Sequence, residues 1–135
     1  MKLIFCIDKK KGMMVFGKRQ SQDEELRRYL ISLSSGSKMW MSEYSAKMFE
    51  DFEGKTVDNS YHSKASAGDF CFVEDIPYST ENVDEIILCK WNRQYPGDYF
   101  FTIDLSNEGY KKVSSEDITG KSHEKITIER YEKKQ

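Results

Sequence analysis

The chain has 135 residues, enough for one domain with a single core and too few for two. A charged fraction of 33% with a net charge of −2 is that of an ordinary globular chain, with no basic excess to neutralise phosphates, and argues against a nucleic-acid partner. The longest apolar runs fall far short of the roughly 20 residues of a membrane span, and Met1-Lys2 opens a strand-like run without a cleavage signature, so a cytoplasmic protein with no membrane partner is expected.

In chain order, Lys2 to Asp8 is a continuous apolar run bounded by charge, the pattern of a strand buried on both faces. Lys9 to Gly12 reads as a turn, and Met13 to Phe16 as a loop or short strand closing at Gly17. Ser21-Gln-Asp-Glu24 has the S-x-x-E form of a capping box, with Ser21 as the expected N-cap. The helix behind it carries Leu26, Tyr29, Leu30 and Leu33 on one face and stops at Ser34-Ser-Gly36. Lys38 to Met41 is too short for a helix and reads as a second strand. Ser42 is the expected cap of a second helix from Glu43 to about Phe52, with Tyr44, Met48 and Phe52 one turn apart. Residues 55–69 read as loop with a short strand near Thr56-Val57. Phe70 to Val73 and Asp84 to Trp91 are further apolar strands, separated by a link through Pro77. A Pro96-Gly97-Asp98 turn then leads to Tyr99 to Ile103, expected to pair or pack beside the preceding strand. Tyr110 to Val113 and His123 to Tyr131 finish the chain, the latter alternating like a half-buried antiparallel strand.

The order predicts a single α/β domain over residues 1–135, with a mixed sheet that has a parallel core and an antiparallel C-terminal hairpin, flanked by two main helices. Cys6, Cys71 and Cys89 lie inside apolar runs without C-x-x-C spacing, which argues against a zinc ribbon and for buried reduced thiols.

Two groups of segments resemble the dihydrofolate reductase family. Leu3 to Gly12, the capped helix and Lys38-Met-Trp-Met-Ser42 look like its first strand, first helix and second strand. Asp84-Glu-Ile-Ile-Leu, Gly97-Asp98-Tyr-Phe-Phe101, Val113 to Asp117 and Ile126 to Glu132 look like its terminal strands, with its Gly-Asp-x-x-Phe turn. The resemblance covers about two thirds of the chain and implies that fold in reduced form. It also implies an acid at the start of the first helix that bonds a pterin ring; Asp23 and Glu25 both fit that place, and both also suit the helix dipole. Ser42-Glu43-Tyr44-Ser45 stands where the family has a Gly-Arg-x-Thr phosphate signature, and Glu74-Asp75 where it has a Gly-Gly turn. Carboxylates there repel a phosphate, so no cofactor is expected and NADP-dependent reduction is disfavoured. The chain is also similar to small bacterial proteins, mainly from Firmicutes, that carry the label ribonuclease Z. That label implies a dinuclear metal site built on H-x-H-x-D-H, which two histidines, His62 and His123, cannot form.

Other chemistries find little purchase. The thiols sit in apolar strands where they are inert, and neither histidine belongs to a nucleophile motif; His123 reads as a surface residue at a strand start. Gly12, Gly17 and Gly36 stand singly, so there is no phosphate loop. Trp40, Trp91, Tyr44 and Tyr95 read as packing residues before pocket walls, Tyr95 and Tyr99 as exposed rings, and Glu81, Asp84, Glu85, Glu116 and Asp117 as solvated carboxylates. The expected function is binding of a small planar or nucleotide-like molecule at the carboxyl ends of the parallel strands, near Asp8, Asp23, Glu25, Trp40 and Met41, with no metal and no assigned catalytic residue. The alternative is a non-catalytic module that binds a protein partner, and both readings point away from an enzyme.

Overall fold

The computed structural model describes residues 1–134. Its centre is β1 (Lys2–Ile7), whose apolar run is buried because parallel strands flank it on both sides: β6 (Phe70–Phe72) with Leu3 opposite Cys71, and β7 (Glu85–Lys90) with Cys6 opposite Cys89. β4 (Met39–Met41) and β5 (Lys55–Val57) extend the sheet in parallel beyond β6. β10 (Ile126–Lys133) and β9 (Tyr110–Ile118) add antiparallel beyond β7, giving the order β5-β4-β6-β1-β7-β10-β9. A register shift in the outer pair leaves Val113 without a partner opposite the Arg130/Tyr131 step. The sheet is thus the expected α/β arrangement, with a parallel core and an antiparallel hairpin at one edge.

A second, three-stranded sheet corrects one expectation. Tyr99–Phe100 (β8) pairs with β2 (Gly12–Val15) rather than with β7, and β2 pairs with β3 (Lys18–Arg19) through a tight hairpin. Phe16 and Gly17 at its tip have φ of 49° and 72°, the left-handed pair that a two-residue hairpin of matching twist requires. Asp98 holds this turn in place: its N–H donates to Met14 O and its Oδ2 accepts from Phe16 N, each at 3.0 Å.

The helix α1 (Glu24–Leu33) buries Leu26 and Leu30, as its spacing predicts, against Ile4, Ile87, Cys89 and Ile126 on one face of the main sheet. Its cap is Asp23, not Ser21: Asp23 Oδ1 accepts from Glu25 N and Leu26 N at 2.9 and 3.3 Å. The second helix α2 spans only Glu43–Ala46, although Ser42 caps it as expected, with Oγ accepting from Ser45 N at 3.1 Å. Beyond Ala46 the chain continues in i to i−3 turns through Phe52, and these aim Phe49, rather than Tyr44, Met48 or Phe52, fully into the core against Phe72. The opposite sheet face carries Leu3, Phe5, Ile86 and Leu88, packed with Val83 and Phe101 from connecting segments, Tyr61 from a 3-10 turn at Tyr61–Ser63 and Tyr110 from the start of β9, with no α-helix over it. Among the described residues no helix is long and apolar enough to cross a membrane.

Candidate functional site

The carboxyl end of β1 delivers Asp8, whose carboxylate is taken up by the backbone around it. Oδ1 accepts from Lys10 N and Gly12 N at 2.9 and 2.7 Å, and Oδ2 from Tyr95 N at 3.0 Å and Gln20 Nε2 at 3.2 Å. Burial opposes the charge, but the N–H groups of Tyr95, Gly12 and Lys10 outweigh it and hold the Asp8 carboxyl below the usual carboxylate range. Asp8 therefore ties β1, the β1–β2 turn and the 95–98 turn into one unit.

Asp23 plays the same part at the start of α1 and reaches further. Besides capping the helix, Oδ1 accepts from Lys121 N at 3.0 Å, and Oδ2 accepts from Ser122 N at 2.9 Å and His123 N at 3.2 Å. His123 Nδ1 lies 2.9 Å from the same Oδ2. Burial alone would raise the Asp23 carboxyl, yet Lys121 N–H, the His123 ring, Ser122 N–H and Leu26 N–H together hold it far below the usual range. His123 is not a surface residue: it is 3% exposed, stacked on Trp91 at 4.6 Å between centroids. Its Nε2 meets two hydroxyls, Ser21 Oγ at 3.0 Å and Tyr95 OH at 2.9 Å. Sequence reasoning missed this because Asp23 and His123 are 100 residues apart and belong to no local motif.

The ends of β4 and β6, where the family resemblance would place a dinucleotide, are filled by protein. Arg19 pairs with Glu74 through Nε to Oε2 at 2.8 Å and Nη2 to Oε1 at 2.9 Å. The Ser45 hydroxyl donates to the same Oε1 at 2.8 Å, and Arg19 lies 4.6 Å over the Tyr44 ring. Ser42 Oγ donates to Asp75 Oδ1 at 2.7 Å. Two voids of about 10 Å³ each remain here, one lined by Ser21, Asp23 and Met48 among others, the second by Ser21, Arg19 and Glu74.

Beside Asp23, Arg27, Met48 and Ser122 an opening of about 350 Å³ lies on the α1 side, and a larger one lies on the other face. A groove of about 860 Å³ runs from Ile7, Asp8 and Lys9 and from Lys90 and Asn92, at the carboxyl ends of β1 and β7, beneath the segment Phe101 to Ser106. Lys90, Lys112 and Tyr131 of its lining converge on the buried Glu129: Oε1 is 2.9 Å from Lys90 Nζ, Oε2 is 2.9 Å from Lys112 Nζ, and Tyr131 OH donates to Oε1 at 2.9 Å. Burial would raise the Glu129 carboxyl; hydrogen bonds from Lys112, Lys90 and Tyr131 lower it below the ordinary value.

The residues expected to form one site are dispersed. Asp8 lines the groove. Asp23 lies at the start of α1 among its backbone donors, and Glu25, half exposed in the first turn, pairs with Arg28 at 3.5 Å. Trp40 is buried against the groove-side core, its Nε1 donating to Asp69 Oδ2 at 3.0 Å, and Met41 is fully buried on the helix side. Trp91 is core, Tyr95 and Tyr99 are half-buried rather than exposed, and Glu85 is buried and paired with Arg130 rather than solvated. No three His, Cys, Asp or Glu side chains gather as a metal site among the described residues.

No protein-family model matches the sequence, and no curated protein matches it significantly. A solved structure does: a dihydrofolate reductase from Enterococcus faecalis, complexed with NADP(H) and RAB-propyl, superposes with a TM-score of 0.67. The match covers 99% of this chain and 96% of that one at 12% identity. The fold is therefore that of the dihydrofolate reductases, held by a very different sequence.

Proposed function

We propose that the chain binds a small anionic molecule bearing a planar ring, of the nucleotide type, in the groove at the carboxyl ends of β1 and β7. The observation that carries this reading is the groove itself, whose volume of about 860 Å³ lies within the usual ligand range and whose walls combine Phe101, Tyr110 and Tyr131 with Lys9, Lys11, Lys90 and Lys112. Rings would pack against the aromatic wall, and an acidic group would replace part of the Glu129 carboxylate as partner of Lys90 and Lys112. Open α/β sheets bind at the carboxyl ends of their strands, which supports the location by analogy of fold. The reductase from E. faecalis is complexed with NADP(H), but here Glu43, Glu74 and Asp75 set carboxylates against a dinucleotide, and the reading involves no such cofactor. Three free cysteines fit a reducing, cytoplasmic setting.

Differential scanning fluorimetry against nucleoside phosphates, flavins and pterins tests the proposal. Ligand at 100-fold over its Kd adds about 2.7 kcal/mol, a rise of several degrees in Tm for a chain of this size. Lys112→Ala should abolish that rise. A flat response across the panel at millimolar concentration overturns the reading.

The alternative, a non-catalytic protein-interaction module, is favoured by the way Arg19, Glu74, Ser45, Ser42 and Asp75 satisfy one another and fill the other strand ends. A stoichiometric complex surviving gel filtration supports it, and ligand-dependent stabilisation of an isolated monomer counts against it.

A further inference from the structure

Ser21, His123 and Asp23 stand in line. Asp23 Oδ2 is 2.9 Å from His123 Nδ1, and His123 Nε2 is 3.0 Å from Ser21 Oγ. The neutral imidazole has one N–H and one lone pair, and the carboxylate at Nδ1 fixes which is which: Nδ1 carries the proton and Nε2 accepts. The Asp23 and His123 side chains are 0% and 2% exposed, so the ring is held between Trp91 and the carboxylate with little freedom to turn. Ser21, by contrast, lies half-exposed in the loop before α1. From these distances and this difference in access we propose that Ser21 is a nucleophile, His123 its general base and Asp23 the residue that positions the base, together forming a site that hydrolyses esters of small acyl groups. This site lies across the sheet from the groove and does not depend on the ligand assigned to it.

A helix cap that needed only to fasten the 120–123 segment would be complete with the backbone donors on Asp23. The hydroxyls of Ser21 and Tyr95 both stand at Nε2, at 3.0 and 2.9 Å, and compete for its single lone pair, so Ser21 delivers its proton when Tyr95 OH has turned its own away. The arrangement of hydroxyl, imidazole and buried carboxylate is the one that activates a weak nucleophile, recognised by geometry and not by spacing in the chain. The acyl size follows from the space beside Ser21: the void between Arg19, Glu74 and Cys6 is about 10 Å³, room for one water or a methyl group. An acetyl methyl fits there, with the alcohol part outward in solvent.

The steps balance with water as the only co-reactant. Ser21 Oγ attacks the ester carbonyl carbon as its proton passes to His123 Nε2, and the imidazolium is stabilised by the Asp23 carboxylate. The ester C–O bond then breaks, the alcohol leaves with the proton from Nε2, and an acetyl-Ser21 ester remains. A water gives a proton to Nε2 and attacks that ester; acetic acid is released and Ser21 Oγ recovers the proton.

The test uses two probes on the whole chain: a fluorophosphonate, located by peptide mass spectrometry, and p-nitrophenyl acetate for turnover. The native protein should carry the label on Ser21, and prior unfolding in urea or the substitution His123→Gln should remove it. Ser21→Ala should lower kcat/KM for the acetate at least 100-fold while Tm holds within a few degrees. Asp23→Asn should lower kcat with little change in KM, whereas loosening of the site would move both. An unlabelled Ser21 in the native chain, or wild-type turnover by Ser21→Ala, overturns the proposal. The Ser21→Ala arm decides even if the buried His123 variant fails to fold.

Discussion

Replacing Asp23 by alanine removes the acceptor of six N–H groups at once. Two belong to the first turn of α1, and losing a cap of this kind costs about 1 kcal/mol. The backbone donors of Lys121, Ser122 and His123 and the His123 ring come from a segment some 100 residues away, and bonds to a charged acceptor are worth about 1.5–3 kcal/mol each when made in isolation. They share two oxygens and water can enter at the adjoining surface, so their joint loss is nearer 3 kcal/mol than their sum. The total of about 4 kcal/mol is a large part of the 5–15 kcal/mol by which domains are stable. Urea unfolding at pH 7 measures it: with a slope of about 2 kcal/mol per molar, the midpoint should fall by about 2 M with the slope unchanged. Ser21→Ala, the substitution that the capping-box reading would single out, should cost under about 1 kcal/mol. A fall of less than about 0.5 M for Asp23→Ala would refute the claim that this carboxylate fastens the 120–123 segment. The effect also has a pH signature. Because the folded Asp23 carboxyl lies far below its ordinary value, its contribution is complete above the unfolded value near 4 and is lost as pH falls through the folded one. The share of the gap between wild type and Asp23→Ala that comes from the Asp23 carboxyl's own titration should therefore narrow only below about pH 4.

Arg19→Ala strands the buried Glu74 carboxylate with only Ser45 Oγ as donor and should cost about 3 kcal/mol, most of it recovered when Glu74→Leu is added, as a urea double-mutant cycle will show. Gly120→Ala would put a Cβ 2.5 Å from His123 O and 2.7 Å from Asp23 Oδ2, both fixed atoms; chemical denaturation should register a loss of at least about 1–3 kcal/mol. Burial pushes the Cys71 thiol up to about 12, so titration with Ellman's reagent at pH 8 should leave Cys71 unmodified until urea unfolds the chain.

What the sequence disclosed was what neighbours in the chain can encode. The buried run at β1, the leucine face of α1 and the alternation at Ile126 and Ile128 each follow from local period, and their order was enough to suggest the fold. Asp23 and Ser21 competed for one cap two residues apart, and local pattern favoured the serine; the aspartate won because three amides from residues 121–123 converge on it as well. Phe49 displaced the expected Tyr44-Met48-Phe52 face because the turns after Ala46 rotate the chain away from a helical period. His123 looked exposed because its surroundings, Ser21 and Asp23 from one segment and Trp91 and Tyr95 from another, lie far from it in the chain. The groove was invisible for the same reason, since Lys9, Lys90 and Lys112 meet only once the sheet is assembled.

The central place of β1 also governs how the chain can assemble. Lys2 must find Phe70 on one side and Glu85 on the other, so during synthesis β1 has no partner in the sheet until the chain has run on past Phe70. Closing loops of that length costs entropy before any contact repays it, and folds dominated by such pairings form in milliseconds to seconds rather than microseconds. Until then the apolar run Leu3-Ile-Phe-Cys-Ile7 is an unpaired ribbon open to association with other chains, held in check by little beyond Lys2, Asp8 and the three lysines that follow. Two of those lysines, Lys9 and Lys11, line the groove in the finished molecule, and in the nascent one the same charge opposes association of β1 with other chains.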